Sequence, residues 1–333
     1  MQMTITTRWL DQKNDNFDTV DELLLKEHPD DDTGGTGFSN WSIKKIFSNH
    51  KETTFNGRKV QYNYYTYSAD RIPSGVSIDE DVTVRISGFV IAYASGGKIR
   101  YIIDRNANAL QILRKMLFYT GKSEIIKNNL EVSSDLFVWL IRKVYSGENI
   151  IESESNMLSD LTINSIRGFK GNTEDLLTKV SASGETVMNI ISSLSFLIES
   201  QNLNQITLDT SYGKHTNIEV ALSNRNTIAS SSDRYLGELV QSEKAELHST
   251  MFLLLYTEIM PIIIQKYRSE IEEGQWGVGT CVGFLNQVAN DLSEKVSIRI
   301  NELTSRPAQL EFPLILDDEA ENKPIESQEV KPA

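Results

Sequence analysis

KETTFNGRKVQYNYYTY, residues 51–67, decides the class of the fold. Asn56-Gly57 is the pair a two-residue hairpin turn demands, because both turn positions take positive φ and Asn and Gly tolerate it best. The flanking segments, 51–55 and 58–67, carry the Thr, Val, Tyr and Phe residues that suit a pleated surface. Downstream, residues 82–93 and 98–103 flank Ser95-Gly96-Gly97 and predict a second hairpin. Upstream, residues 4–9 read as a short strand, 20–27 as an amphipathic helix and 41–47 as another short helix. HPDDDTGGTG, residues 28–37, is a loop, since its Gly and Asp content breaks any regular element.

After residue 105 the period changes. Leu110, Leu113, Met116 and Leu117 predict a helix over 107–119. A second, over 134–145, has Ser134 as its cap and Phe137, Leu140, Ile141 and Val144 as its apolar stripe. Residues 161–169 alternate as a strand, while 173–180 and 185–199 read as helices. A third hairpin pairs 205–210 with 217–222 across Tyr212-Gly213-Lys214, and from 233 to 303 the chain is mostly helical. The expected class is α+β, with a β-hairpin-rich N-terminal half carrying some helices, a largely helical C-terminal half and a disordered C-terminal tail. Three regions follow. Residues 1–150 hold two hairpins and a basic segment, 151–306 form an α+β region ending in helices, and 307–333 are a flexible acidic tail with a docking peptide. The first division falls in the polar stretch ESESN.

The chain has 333 residues, 39% of them apolar, which is enough for a sizeable core. Its net charge of -13 argues against a general nucleic-acid coat protein and leaves room for a local basic patch. With one cysteine, Cys281, there is no intrachain disulfide and no multi-cysteine zinc site, and the four histidines lack metal-ligand spacing. No metal or cofactor is expected. MQMTITTRWLDQK lacks the apolar core of a signal peptide. The most apolar run, 251–264, contains Glu258 and Pro261 and is shorter than a spanning helix, so it reads as a buried core helix. A cytoplasmic protein without membrane contact is expected.

Short motifs fail on context. Thr120-Gly121-Lys122-Ser123 lacks the glycine a phosphate loop needs five positions before Gly121, and it follows a helix, so Gly121 reads as a helix cap. Asp30, Asp31 and Asp32 are consecutive, not alternating as in a calcium loop. Gly274, Gly277, Gly279 and Gly283 follow a helix, where a dinucleotide fold needs a strand. Asp209 and Glu219, on the two arms of the third hairpin, are the weak catalytic candidates: two carboxylates on adjacent strands can share a metal in a nuclease. The lysine often found two positions after the second acid is Ala221 here.

Between Gly96 and Asn128, seven bases, Lys98, Arg100, Arg105, Arg114, Lys115, Lys122 and Lys127, stand against Asp104 and Glu124, a local charge of +5. Tyr101, Phe118 and Tyr119 are interleaved, as suits a nucleic-acid surface; the competing reading is that these charges are the solvated faces of a hairpin and a helix. In the tail, seven acids stand against Lys323 and Lys331, a composition that does not repay ordering. Near its start lies QLEFPLIL, residues 309–316, an apolar string suited to docking.

That string resembles the short peptide by which bacterial replication and repair proteins bind the DNA sliding clamp, which typically reads Gln-Leu, a variable position, then Leu-Phe or a Leu-Pro-Leu ending. The wider AQLEFPLILDDE is also similar to the clamp-binding peptide of the regulator of replication initiation that acts with the clamp. The resemblance implies that Gln309 offers its amide at the pocket rim, that Leu310 enters a hydrophobic subsite, and that Phe312, Pro313 and Leu314 fill the deeper one. Phe312 stands where Leu is usual. The resemblance covers about eight residues and none of the body. Competing readings of the string are a last edge strand, or packing against the helical half. The leading expectation is a DNA-associated protein recruited to the clamp. The alternatives are a metal-dependent nuclease, or a non-catalytic interaction subunit, homo-oligomeric through the helices of 251–264; no residue argues specifically for phage defence.

Overall fold

The computed structural model describes residues 3–29, 37–71, 83–121, 123–152, 160–172, 179–183, 195, 198 and 202–305. In chain order the elements are β1 (Thr4–Asp11), α1 (Phe17–Leu25), β2 (Phe38–Lys45), β3 (Lys51–Phe55), β4 (Arg58–Arg71), β5 (Val84–Ser95), β6 (Lys98–Ile103), α2 (Ala109–Met116), β7 (Ile125–Lys127), α3 (Ser134–Tyr145) and β8 (Ile150–Ile151). They continue with β9 (Leu161–Asn172), β10 (Lys179–Ser183), β11 (Asn202–Tyr212), β12 (His215–Ser223), β13 (Thr227–Ser231) and β14 (Leu236–Gly237). The chain then runs through α4 (Lys244–Leu254), a π-helical turn (Leu255–Ile259), α5 (Met260–Glu272) and α6 (Val278–Thr304).

The strands join in one antiparallel sheet, ordered β10-β9-β11-β12-β13-β1-β6-β5-β4-β2, so the fold is α+β. β1 is the hinge of this order. Thr4, Ile5 and Thr6 pair with β13, and Thr7 to Leu10 pair with β6. The sheet therefore continues across the division drawn near residue 150. The Asn56-Gly57 turn forms as its sequence requires, with φ of 48° and 76°.

Strand β4 is buried on both faces. Val60 and Tyr62 enter one core with Phe89, Ile91 and Ile102, beneath α3, α4 and α5. Tyr65, Tyr67 and Ala69 enter the other, with Val90, Tyr101, Ile103 and the apolar stripes of α1 and α2. Met251 to Tyr256 are fully buried, as are Ile259, Met260 and Ile263. The continuous helix 244–272 is long and apolar enough to cross a membrane by length and composition; here two-thirds of its most apolar window is buried within the fold. Within 251–264, Pro261 is exposed and Thr257 and Ile264 are half-buried.

Some expectations fail locally. Residues 41–47 are not helical: 41–45 belong to β2, where Trp41 and Ile43 alternate with exposed Ser42 and Lys44 and the strand pairs with β4. The period of two at Trp41 and Ile43 spans too few residues to mark a strand in the sequence. Lys179 and Val180 are strand, not helix, because they pair with Asn172 and Gly171 of β9; residues 173–178 lie outside the described residues. So does the helix expected over 185–199, except Ser195 and Ile198, which are helical. Helix α3 is capped by Ser133, whose Oγ accepts from the Leu136 amide at 3.1 Å, while the Ser134 hydroxyl accepts from the Leu203 amide.

Candidate nucleic-acid interface

β2 is an edge strand, and its pairing with β4 slips between Ser39 and Ser42. Asn40 sits in this bulge with φ of 51°. Its amide donates to Asp70 at 2.8 Å, and Arg85 ties its carbonyl to the Asp70 carboxylate. Bulges at sheet edges re-aim side chains, and this one carries Trp41. Trp41 lies 5.5 Å from the ring of His28 and 5.4 Å from that of Phe38.

His28 follows α1 and reaches the end of α2, where Nε2 is 3.0 Å from the Met116 carbonyl, so that nitrogen carries the hydrogen. α2 closes in a paired-turn motif, the Tyr119 amide donating to Arg114 and the Phe118 amide to Lys115. The left-handed position of that motif is usually glycine. Here it is Phe118, at φ 55°, and not Gly121 as expected. A bulky residue there costs about 1–2 kcal/mol. The conformation presents the Phe118 ring to His28, stacked at 4.6 Å, with the Lys26 ammonium 5.0 Å over it.

A cleft of about 530 Å³ opens among Lys26, Glu27, His28, Asn40, Trp41 and Lys44. Lys26, Lys44 and Lys115 are exposed, and Phe118 and Trp41 are half-buried. Aromatic rings between ammonium groups are the chemistry of a base-stacking site with phosphate contacts. No protein-family model matches the chain. No curated protein matches it either.

The basic segment supplies part of this site and disperses elsewhere. Arg114 and Lys115 lie on α2, against the same sheet face as Tyr101, whereas Arg100 shares the opposite face with Ile102. Lys98 and Arg105 stand at the two ends of β6, roughly 20 Å apart. Arg105 is held by Asp104 and the Ser87 carbonyl and lies over the Tyr67 ring. Lys127 donates to Asn106 and to the Arg225 carbonyl, and desolvation holds its pKa down. Lys122, Asp30, Asp31, Asp32 and the tail residues Gln309, Leu310, Phe312, Pro313 and Leu314 lie outside the described residues. Lys26, His28, Trp41 and Lys44 lie outside the basic segment of 96–128, and a helix over 41–47 would give Trp41 and Lys44 other neighbours. Interleaved basic and aromatic residues between 26 and 44 were the available signal.

Asp209 and Glu219 are directly opposite in the β11–β12 register, as the hairpin implied. Asp209, however, is buried and engaged by Arg167 at 2.6 and 3.2 Å and by Asn164 at 3.2 Å. Among the described residues no three His, Cys, Asp or Glu side chains are grouped to hold a metal. At the hairpin end, His215 Nδ1 is 2.6 Å from the Tyr235 hydroxyl, and burial lowers its pKa. Tyr212, three residues before His215, and Asn56 of the first hairpin turn donate to the buried carboxylate of Glu258 in the π turn. A second cleft, of about 580 Å³, lies beside that turn between Arg8, Asn129, Glu131, Gln265 and Arg268. Its two bases are matched by Glu131 and Glu272, and Arg268 is already paired with Glu131.

Proposed function

We propose that this chain is a DNA-associated protein of bacterial replication, repair or mobile elements. Its body takes single-stranded nucleic acid at the cleft lined by Trp41 and His28, with Phe118 stacked on His28, and its C-terminal string recruits it to a sliding clamp. The observation that carries the reading is that two left-handed residues, Asn40 lining the cleft and Phe118 stacked on the His28 that lines it, flank one set of rings and lysines. Strain of this kind is kept where the surroundings need the side chain. A single strand suits an acidic protein, because stacked bases supply affinity that a duplex backbone alone would demand from many more cations. Recruitment is supported by the clamp-like string at 309–314 and by α6, which is exposed from Val296 onward.

Two measurements test the two parts separately. Fluorescence titration with a short oligodeoxynucleotide should show binding that weakens with salt. Lys26→Gln with Lys44→Gln should reduce the salt slope by about 0.7 per lost phosphate contact. Trp41→Ala should weaken binding by about 1–3 kcal/mol. Absence of binding, or binding indifferent to these changes, rejects the cleft. In a pull-down with purified clamp, the native chain should be retained and Gln309→Ala with Leu310→Ala lost; equal retention rejects the recruitment.

A further inference from the structure

Helix α6 is amphipathic over a wider arc than the body covers. Cys281, Phe284 and Val288 face the body, with Phe284 edge-on to Tyr145 at 5.7 Å and Tyr145 bonded to Asp291. About 100° around the helix runs a second stripe. Val278, Val282, Leu285, Ala289, Leu292 and Val296 recur at alternating steps of four and three, and Leu303 closes the run after Arg299; of these, Leu285 also packs partly against the body and Leu292 is half-buried. Val278 is 83% exposed, Val282 51%, Val296 42% and Leu303 53%. Alternating four- and three-residue steps are the seam of a two-helix coiled coil.

We infer that this stripe is a homodimer interface in which α6 of one chain packs antiparallel against α6 of a second copy. The register closes on itself. With the two-fold axis between Asn290 and Asp291, Val278 meets Leu303 of the second copy, Val282 meets Arg299, Leu285 meets Val296, and Ala289 meets Leu292. Each pair then recurs by symmetry, as an isologous contact requires. Both ends of the stripe are matched and no apolar layer is left over.

Charge fixes the direction. Parallel alignment in register stacks Arg299 on Arg299 in a seam layer. The antiparallel one sets each Arg299 near a helix end, where its stem covers Val282 and its head reaches water. Of the flanking positions, Lys295 falls beside Val288 and Glu302 beside Cys281, so no like charges meet. The exposed last turns of α6 leave room for the partner's body, which packs only on the N-terminal half of its own helix. The contact is about 39 Å long and one helix diameter wide. Its area, on the order of 1,000 Å² in total, sits at the lower limit for a specific interface and implies a reversible dimer.

Sedimentation velocity on the full chain tests this. The native protein should shift from monomer to dimer as concentration rises. Val296→Asp with Leu303→Asp, at exposed positions beyond the body contact, should remain monomeric with an unchanged far-ultraviolet spectrum. For orientation, Val278→Cys with Leu303→Cys, in a Cys281→Ser background, should give a disulfide-linked dimer on mild oxidation. The two positions are about 37 Å apart within one helix, so that bond must form between chains. A native protein that stays monomeric at high concentration, a dimer that survives the aspartate pair, or linkage only in each single-cysteine variant would overturn the inference.

Discussion

Arg8 donates to the main-chain carbonyl of Tyr256 at 2.8 Å and lays its guanidinium over the same residue's ring. The reason lies five residues on. In the π turn the Met260 amide reaches back to Leu255, and the next donor in that ladder would serve Tyr256. That residue is Pro261, which has no N–H. The orphaned carbonyl is supplied from β1 instead. Arg8→Met should therefore cost about 1–3 kcal/mol in denaturant unfolding, the usual penalty for stranding a buried acceptor. In a Pro261→Ala background, where an amide is restored, the same substitution should cost measurably less. Equal costs in both backgrounds would show that Arg8 stabilises only through packing.

Phe118 separates stability from binding. Its left-handed conformation is one glycine adopts freely, so Phe118→Gly relieves about 1 kcal/mol of backbone cost while removing the stacking ring. Thermal unfolding should stay within about 1 kcal/mol of the parent, because lost contacts with His28 and Lys26 offset the relief. Oligonucleotide affinity should nevertheless fall. A large loss of stability would mark Phe118 as a packing residue instead.

The fold was legible where local chemistry and tertiary need agreed. Asn56-Gly57 forms its hairpin, and Leu110, Leu113, Met116 and Leu117 sit on a helix that buries them all but Leu110. β2 was not legible as a strand, since Trp41-Ser42-Ile43 is too short to display its period and only the edge of β4 makes it extended. The unity of the sheet was equally hidden, because the pairing of Thr4 with Ser230 spans most of the chain. The candidate cleft fell between these cases. Phe118 stood in the basic segment, but its partners Lys26 and His28, and the Trp41 ring beside His28, come from a separate stretch that meets the end of α2.

Glu258 is a buried acid whose pKa is raised, first by desolvation, against the opposing hydrogen bonds of Asn56 and Tyr212 and the charge of Arg58. A carboxyl that prefers its proton when folded makes the ionised form a liability above its folded pKa. Glu258→Gln keeps an oxygen to accept both hydrogen bonds and removes the charge. It should raise stability at pH 7–8, and the gain should vanish as pH falls below about 4.5, where the carboxyl is neutral in both states. A loss at neutral pH would mean that the attraction of Arg58 outweighs burial.

His248 produces the opposite dependence. Its ring is boxed by Phe89 at 4.7 Å and Phe252 at 4.9 Å, with the Tyr64 hydroxyl 3.4 Å from Nδ1. Burial, with the Lys244 charge second, lowers its pKa to about 4. In the unfolded chain it protonates near its ordinary value of about 6.5, so below that pH the unfolded state binds the extra proton and gains. Stability from this group is intact above about 6.5 and is lost as pH falls to about 4, a change on the order of 3 kcal/mol. His248→Phe, which fills the same aromatic box, should flatten the acid limb of the stability curve between those limits. If the limb keeps its slope, the proton uptake that drives it belongs to another group.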